Sequence, residues 1–291
     1  MLLRFTALLI AFALPAAAFE RLVSFGDSNV DIGRALTEAK SPGDGKIAPP
    51  NTVGRRFADG ALLPEFVAEM TGRPIETYGW GGASSGEINR MYRRGLIDAK
   101  YTGTLSQIEE YAEGRDGADP AALYLIFAGS NDLNVLVPDF SQDRVDAAVA
   151  EVSSNLEAAI RRLHGMGATM IAVATRTARP VLSDALRPAE EQRGAARNDA
   201  AGRQLNASIR RLVARMDAEL DANVALLDSY AIIRDLIDGS GANGFAPYSE
   251  TEDAYCVRAA ACETLINFDG AHKTSAVHRE LAKALIAMFG E

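Results

Sequence analysis

Short apolar runs of strand length alternate with amphipathic helical stretches along this chain, and that alternation constrains its fold more than any other feature. Arg21–Phe25, Ile75–Tyr78, Leu123–Ala128, Met170–Ala174 and Val224–Leu227 read as strands. Between the third and fourth, Val145, Val149, Val152, Leu156, Ile160 and Leu163 recur at helical spacing until Gly165 ends the run. Leu205, Ile209, Leu212, Met216 and Leu220 mark a helix between the fourth and fifth; one more follows the fifth, and a last runs from Ser275 to Phe289. Strands apolar on both faces need cover on both, which predicts a parallel sheet inside one α/β/α domain. At 291 residues, 48% of them hydrophobic, the chain can bury such a core.

The first residues do not belong to that pattern. Arg4, an apolar run from Phe5 to Leu14 and Ala16-Ala17-Ala18 follow in the order of a secretory leader. We expect residues 1–18 to be removed, leaving an exported domain over 19–291. The apolar run is too short for a permanent anchor, and no later stretch approaches membrane-spanning length, so no stable membrane insertion is expected. The formal charge of −9, from 30 basic and 39 acidic residues, disfavours nucleic acid as a partner. Cys256 and Cys262 are the two cysteines; in an exported chain they favour a disulfide closing a short loop, the alternative being two buried thiols. With three histidines besides, they make no convincing zinc cluster, so neither a metal nor another cofactor is expected. A monomer is expected.

In parallel sheets of this kind the ligand sits outside the carboxyl ends of the strands. The first strand ends in Gly26-Asp27-Ser28, the second in "GWGGASSGE" (79–87), the third in "AGSNDL" (128–133). "NFDGAHKTSAVH" (267–278) precedes the last helix. A serine becomes a nucleophile only with a base, a group that orients the base, and donors for the oxyanion. Asp269 and His272 supply base and orienter, Asn131 a side-chain amide, and the glycines close backbone approach. Singly, each has a plainer reading: Ser28 as a helix cap, Asn131-Asp132 as a turn, His272 as a surface residue. Together, in order, at strand ends, they are the parts of an acyl-transfer site.

The four segments resemble the blocks of the GDSL, or SGNH, family of serine esterases and lipases. "FGDSNVDIG" resembles the nucleophile block, "GGAS" the oxyanion-glycine block, "GSNDL" the G-x-N-D block and "DGAH" the D-x-x-H block. The stretches between them are similar too, so the resemblance covers nearly all of Arg21 to Phe289. It implies a three-layer, flavodoxin-like fold with five parallel strands. It also implies Ser28 as nucleophile, His272 as base and then acid, and Asp269 as its orienter. The N–H groups of Ser28 and Gly82 and the Asn131 amide would form the oxyanion hole. Lys273 stands where many members carry proline, and a slightly looser loop is expected there.

A rival lies in the second block. Gly82-Ala83-Ser84-Ser85-Gly86 satisfies G-x-S-x-G, but Gly79-Trp80-Gly81 separates it from the strand such an elbow requires. Ser84 fits better as an N-cap, with Glu87 completing a capping box. His164 and His278 read as structural, Trp80 as core, and Arg161-Arg162 and Arg210-Arg211 as solvated helix faces. Residues 239–255 and the cysteine loop are expected to wall the cleft, and 133–140 to line an acyl pocket. The expected substrate is a small-molecule, lipid or glycan ester with a short to medium acyl chain. A sugar O-acetylesterase or acyltransferase on the same site, and a non-catalytic lipid- or glycan-binding protein, are the alternatives.

Overall fold

The computed structural model describes residues 18–40, 52–136, 139–179, 189–249, 255–259 and 261–290. Apart from Ala18, the expected leader lies outside them. Five strands form the sheet: β1 (Arg21–Gly26), β2 (Ile75–Thr77), β3 (Ala122–Phe127), β4 (Met170–Ala174) and β5 (Asn223–Leu227). Their order is β2-β1-β3-β4-β5, and every pairing is parallel. That is the flavodoxin-like α/β/α arrangement the resemblance implies. The order reverses between β1 and β3, so the ends of those strands diverge and open a crevice.

The helices among the described residues are α1 (Arg34–Thr37), α2 (Leu63–Thr71), α3 (Arg90–Arg93), α4 (Thr104–Ala112), α5 (Ser130–Asn134), α6 (Gln142–Gly165), α7 (Ala189–Glu219), α8 (Ser229–Asp238) and α9 (Ser275–Met288). Alternate residues of β3 feed two separate cores. Tyr124 and Ile126 meet Ile108 of α4, Val152 and Leu156 of α6 and Leu205 of α7. Leu123, Leu125 and Phe127 meet Leu63 and Phe66 of α2, Ile233 of α8 and Leu281 of α9. Burial on both faces is why β3 is apolar at every position. The sequence pattern does not single out α2 or α4, which lie on the β1–β2 and β2–β3 connections. Leu63, Pro64, Phe66 and Val67 of α2 bunch together, and α4 buries Thr104 and Gln107 beside Ile108 and Tyr111. Neither shows a clean apolar stripe.

A third, small cluster is made of Ala35, Leu36, Phe57, Trp80, Ala83, Met91 and Ile97. Trp80 is therefore core, with the Arg34 guanidinium 4.8 Å from its ring centre. Arg161 and Arg162 are exposed but paired, with Glu219 and Glu109; Arg210 pairs with Asp228. No described helix is long and apolar enough to cross a membrane.

His278, on α9, is 1% exposed and its Nδ1 has no hydrogen-bond partner. Burial, with His272 and Lys273 nearby, pushes its imidazole down to about 3. As pH falls from the ordinary histidine value, the unfolded chain takes up this proton well before the folded one, so stability is lost between roughly pH 6.5 and 3. His278→Leu should abolish that contribution. Denaturant unfolding at pH 7 and pH 4 should show the variant losing at least about 2 kcal/mol less than the parent. Equal losses would mean that His278 is protonated in the folded state.

Candidate active site

The turn that carries Ser28 begins where β1 stops. Gly26 sits at φ 139°, and a Cβ there would overlap the Phe127 carbonyl, so only glycine lets β1 leave the sheet at this point. Gln107 of α4 holds it: Gly26 N–H donates to Gln107 Oε1 at 2.6 Å, and Gln107 Nε2 donates to the Gly26 carbonyl at 2.9 Å. Asp27 is buried and accepts from the backbone N–H and side-chain amide of Asn29. Ser28 follows, 9% exposed. It caps no helix, because α1 starts from Gly33.

The job that a cap would do falls to Asp31. Its buried carboxylate accepts from the N–H groups of Gly33, Arg34 and Ala35 and, across 50 residues, of Gly81. Burial raises the Asp31 pKa, and those four donors oppose the rise. The glycine block is gripped from other sides as well. Asn89 Nδ2 donates to the Gly81 carbonyl, Arg90 N–H to the Gly82 carbonyl, and Ala83 N–H to that of Trp80. Asn131 Nδ2 donates to the Ala83 carbonyl at 3.0 Å, which leaves its second N–H available. Asp132 accepts from the N–H and hydroxyl of Ser85, whose oxygen also accepts from Asn155. Gly82, at φ 79°, has no room for a side chain: a Cβ would lie 2.6 Å from Met91 Cγ and 2.7 Å from Asn89 Oδ1. Among the described residues, the N–H groups of Ser28 and Gly82 have no acceptor.

Ser84 is neither an elbow nor a cap. No helix starts at it; its hydroxyl donates to the Ile88 carbonyl, and Asn89 caps α3 instead. The expected capping box with Glu87 is absent because residues 85–88 run as bends rather than helix.

Asp269 and His272 form a tight turn. One carboxylate oxygen accepts from the N–H groups of Ala271 and His272 at 2.6 and 2.7 Å; the other lies 2.8 Å from His272 Nδ1. Burial by itself would raise the Asp269 carboxyl, but the adjacent His272 and these N–H donors outweigh it and hold the group well below the usual carboxylate range. With Nδ1 tied to a carboxylate, Nε2 is the nitrogen left to accept a proton. The Phe57 ring stacks on the imidazole, with centroids 5.2 Å apart.

Lys273 does not loosen this turn. Its side chain is buried, Nζ donates to Asn267 Oδ1 at 2.6 Å, and Asn267 and Lys273 form an isolated antiparallel bridge. Cys256 and Cys262 are disulfide-bonded. Cys256 N–H and Val257 N–H donate to the carbonyls of Asn267 and Phe268, so the cysteine loop is pinned to the residues just before Asp269.

Ser28, Gly82, Asn131, Asp269 and His272 all line one cavity of about 230 Å³. Among the described residues no hydrogen bond joins Ser28 to His272; such pairs are commonly loose without substrate. The described part of residues 239–255 contributes nothing to the lining. Val135 and Leu136, from the expected acyl wall, line an adjoining cavity of about 260 Å³ that shares Arg90 and Asn131 with the first; residues 137 and 138 lie outside the described residues. Arg90, Arg94 and Arg179 line the cavity that holds Ser28 and His272, unanticipated. Arg179 follows β4, and reading that strand end like the other three would have found it.

Over residues 22–285 the chain matches the family model described as GDSL-like Lipase/Acylhydrolase. No curated protein matches it in sequence. Among solved structures, an acetylxylan esterase from Geobacillus stearothermophilus is similar at 14% identity and TM-score 0.52, over 96% of this chain and 97% of that one. A phospholipase A1 from Streptomyces albidoflavus NA297 is similar at 16% identity and TM-score 0.52, over 94% and 100%. An extracellular lipase from Streptomyces rimosus gives 14% identity and TM-score 0.50, over 93% and 99%. At such identities the likeness to these structures is one of fold.

The geometry gives two expectations. Asp31→Ala leaves four backbone donors without their acceptor and should cost at least about 2 kcal/mol of unfolding free energy; an unchanged denaturation midpoint would contradict the anchoring role. Replacing both Cys256 and Cys262 by Ser should cost about 2 kcal/mol through loop entropy. Thiol titration of the denatured, unreduced parent should find none, and two reactive thiols per chain would rule the bridge out.

Proposed function

The chain belongs to the GDSL-like lipase/acylhydrolase family of carboxylic ester hydrolases, and we propose that it is exported and cleaves its substrate through an acyl-enzyme on Ser28. The observation that carries the proposal is the meeting, in one cavity, of Ser28, the 2.8 Å Asp269–His272 pair and the unpartnered N–H of Gly82. Ser28 Oγ attacks the acyl carbon while its proton passes to His272 Nε2. The carbonyl electron pair moves onto oxygen, where the N–H groups of Ser28 and Gly82 and the Asn131 amide receive it. Collapse expels the alcohol, which leaves with the proton from His272. Water then attacks the acyl group with His272 again as base, and the acid departs as Ser28 regains its proton. Asp269 fixes the ring and offsets the charge it gains.

The leader-like residues 1–18 and the disulfide support export and a mature domain from residue 19. The adjoining cavity with Val135 and Leu136 supports a short to medium acyl chain. Esters of lipids and of acetylated sugars, the substrates named for the similar structures, both remain within that class.

Ser28→Ala should lower kcat at least about 10³-fold, and His272→Ala by a similar factor, because the two act as one unit. Their double mutant should be scarcely worse than either single. Asn131→Ala should lower kcat about 10²–10³-fold with little change in KM. A dead Ser84→Ala beside an active Ser28→Ala would overturn the mechanism.

A further inference from the structure

We propose that the catalytic cavity contains a second subsite, formed by Arg90, Arg94 and Arg179, that binds an anionic group, a phosphate or a carboxylate, carried by the ester substrate. The proposal rests on the ester-hydrolase reading of the site and adds the substrate's charge to it.

The positions come first. Arg90 opens α3, and its backbone N–H donates to the Gly82 carbonyl at 2.8 Å, so its side chain starts beside the oxyanion glycine. Arg94 follows one turn later, at the rim. Arg179, from the segment after β4, reaches the Gly270 carbonyl and Asn134 Oδ1 only at 3.4 Å each, and its Nε is buried without a partner. All three line the cavity that holds Ser28 and His272.

Their lack of partners is the telling point. Arg56, Arg115, Arg162 and Arg215 each hold a carboxylate within hydrogen-bond distance. Among the described residues, no carboxylate forms an ion pair with Arg90, Arg94 or Arg179. Two carboxylates share the cavity, Asp27 and Asp269, but among the described residues Asp27 accepts from Asn29, and Asp269 from Ala271 and His272, and neither pairs with these arginines. Arg179 feels Asp269 and Asp27 at longer range, whereas the charged neighbour of Arg90 is Arg94. Burial lowers the basicity of Arg90 and Arg179, and the neighbouring arginines lower it further. A bound anion offsets both through its attraction to the guanidinium groups. Guanidinium groups suit the task because their forked donors match two oxygens of a phosphate or carboxylate, and a cationic cleft in an acidic protein focuses such substrates.

Matched ester pairs test the idea: 1-hexanoylglycerol against 1-hexanoylglycerol-3-phosphate, and 4-nitrophenyl butyrate against 4-nitrophenyl hydrogen glutarate. In at least one pair the parent enzyme should favour the anionic member in kcat/KM by about tenfold or more, and Arg90→Gln and Arg179→Gln should each shrink that ratio by about tenfold. The responding pair identifies the anion as phosphate or carboxylate. Arg211→Gln, on the exposed face of α7, should keep the parent ratio. Ratios near one in both pairs, or equal losses on both members of a pair, would overturn the subsite. Calorimetry on Ser28→Ala reads the subsite without turnover: in at least one of the two pairs the anionic member should bind about tenfold more tightly than its neutral counterpart, and adding Arg90→Gln should remove the difference. Selective binding there, beside a parent that hydrolyses none of the esters, would sink the ester reading and keep the subsite. Equal binding of the two members in both pairs would sink the subsite.

Discussion

The buried carboxylate of Asp31 is the constraint on which the rest of the site depends. Its oxygens accept three N–H groups at the start of α1 and a fourth from Gly81. The turn carrying Ser28 and the loop carrying Gly82 are thereby fixed against each other. Asp132 grips the other end of that loop at Ser85, and Asn131, its neighbour, grips the middle at Ala83. A loop of small residues would otherwise sample many conformations. Here its donors and acceptors are satisfied on both sides of Gly82, while the Gly82 N–H has no acceptor among the described residues and is left for the oxyanion role proposed for it.

Four aspartates around this crevice show how environment assigns a role. Asp27, Asp31 and Asp132 are desolvated, and burial raises the pKa of each despite the hydrogen bonds it accepts. Asp269 is also largely buried, yet His272 and two backbone donors bring it well below the usual range. A carboxylate that stays ionised beside an imidazole can stabilise the imidazolium; the other three work through the backbone groups and side chains they hold. The disulfide and the buried Lys273 stiffen the segment that presents Asp269 and His272, which keeps the pair together on a connection that would otherwise be irregular.

Much of this was legible in the sequence, for a physical reason. Strands buried on both faces must be apolar throughout, so β1, β3 and β4 stand out, and strand ends in parallel sheets are where ligands sit, so Ser28, Gly82 and Asn131 stand out with them. The turn at Asp269 and His272 was legible from its residue types. What stayed hidden depends on contacts distant in sequence. Nothing local in the sequence marks Asp31 before Gly81 folds against it, or Gln107 before it meets Gly26. Ser84 carries the letters of a capping box, but the loop around it is bent towards Asp132 and Asn89, and no helix forms for it to cap. Lys273 looks like a flexible substitute for proline, yet burial and one bond to Asn267 make it an anchor.

The central claim is that Ser28 is the residue acylated in turnover, and reaction with a fluorophosphonate reports on it most directly. Such a reagent phosphonylates an activated serine with loss of fluoride and takes the place of the acyl group. The account predicts about one adduct per chain, found by peptide mass mapping on the peptide that contains Ser28, and none when His272 is replaced by alanine. An adduct on Ser84, or folded parent protein that takes up no label, would contradict it.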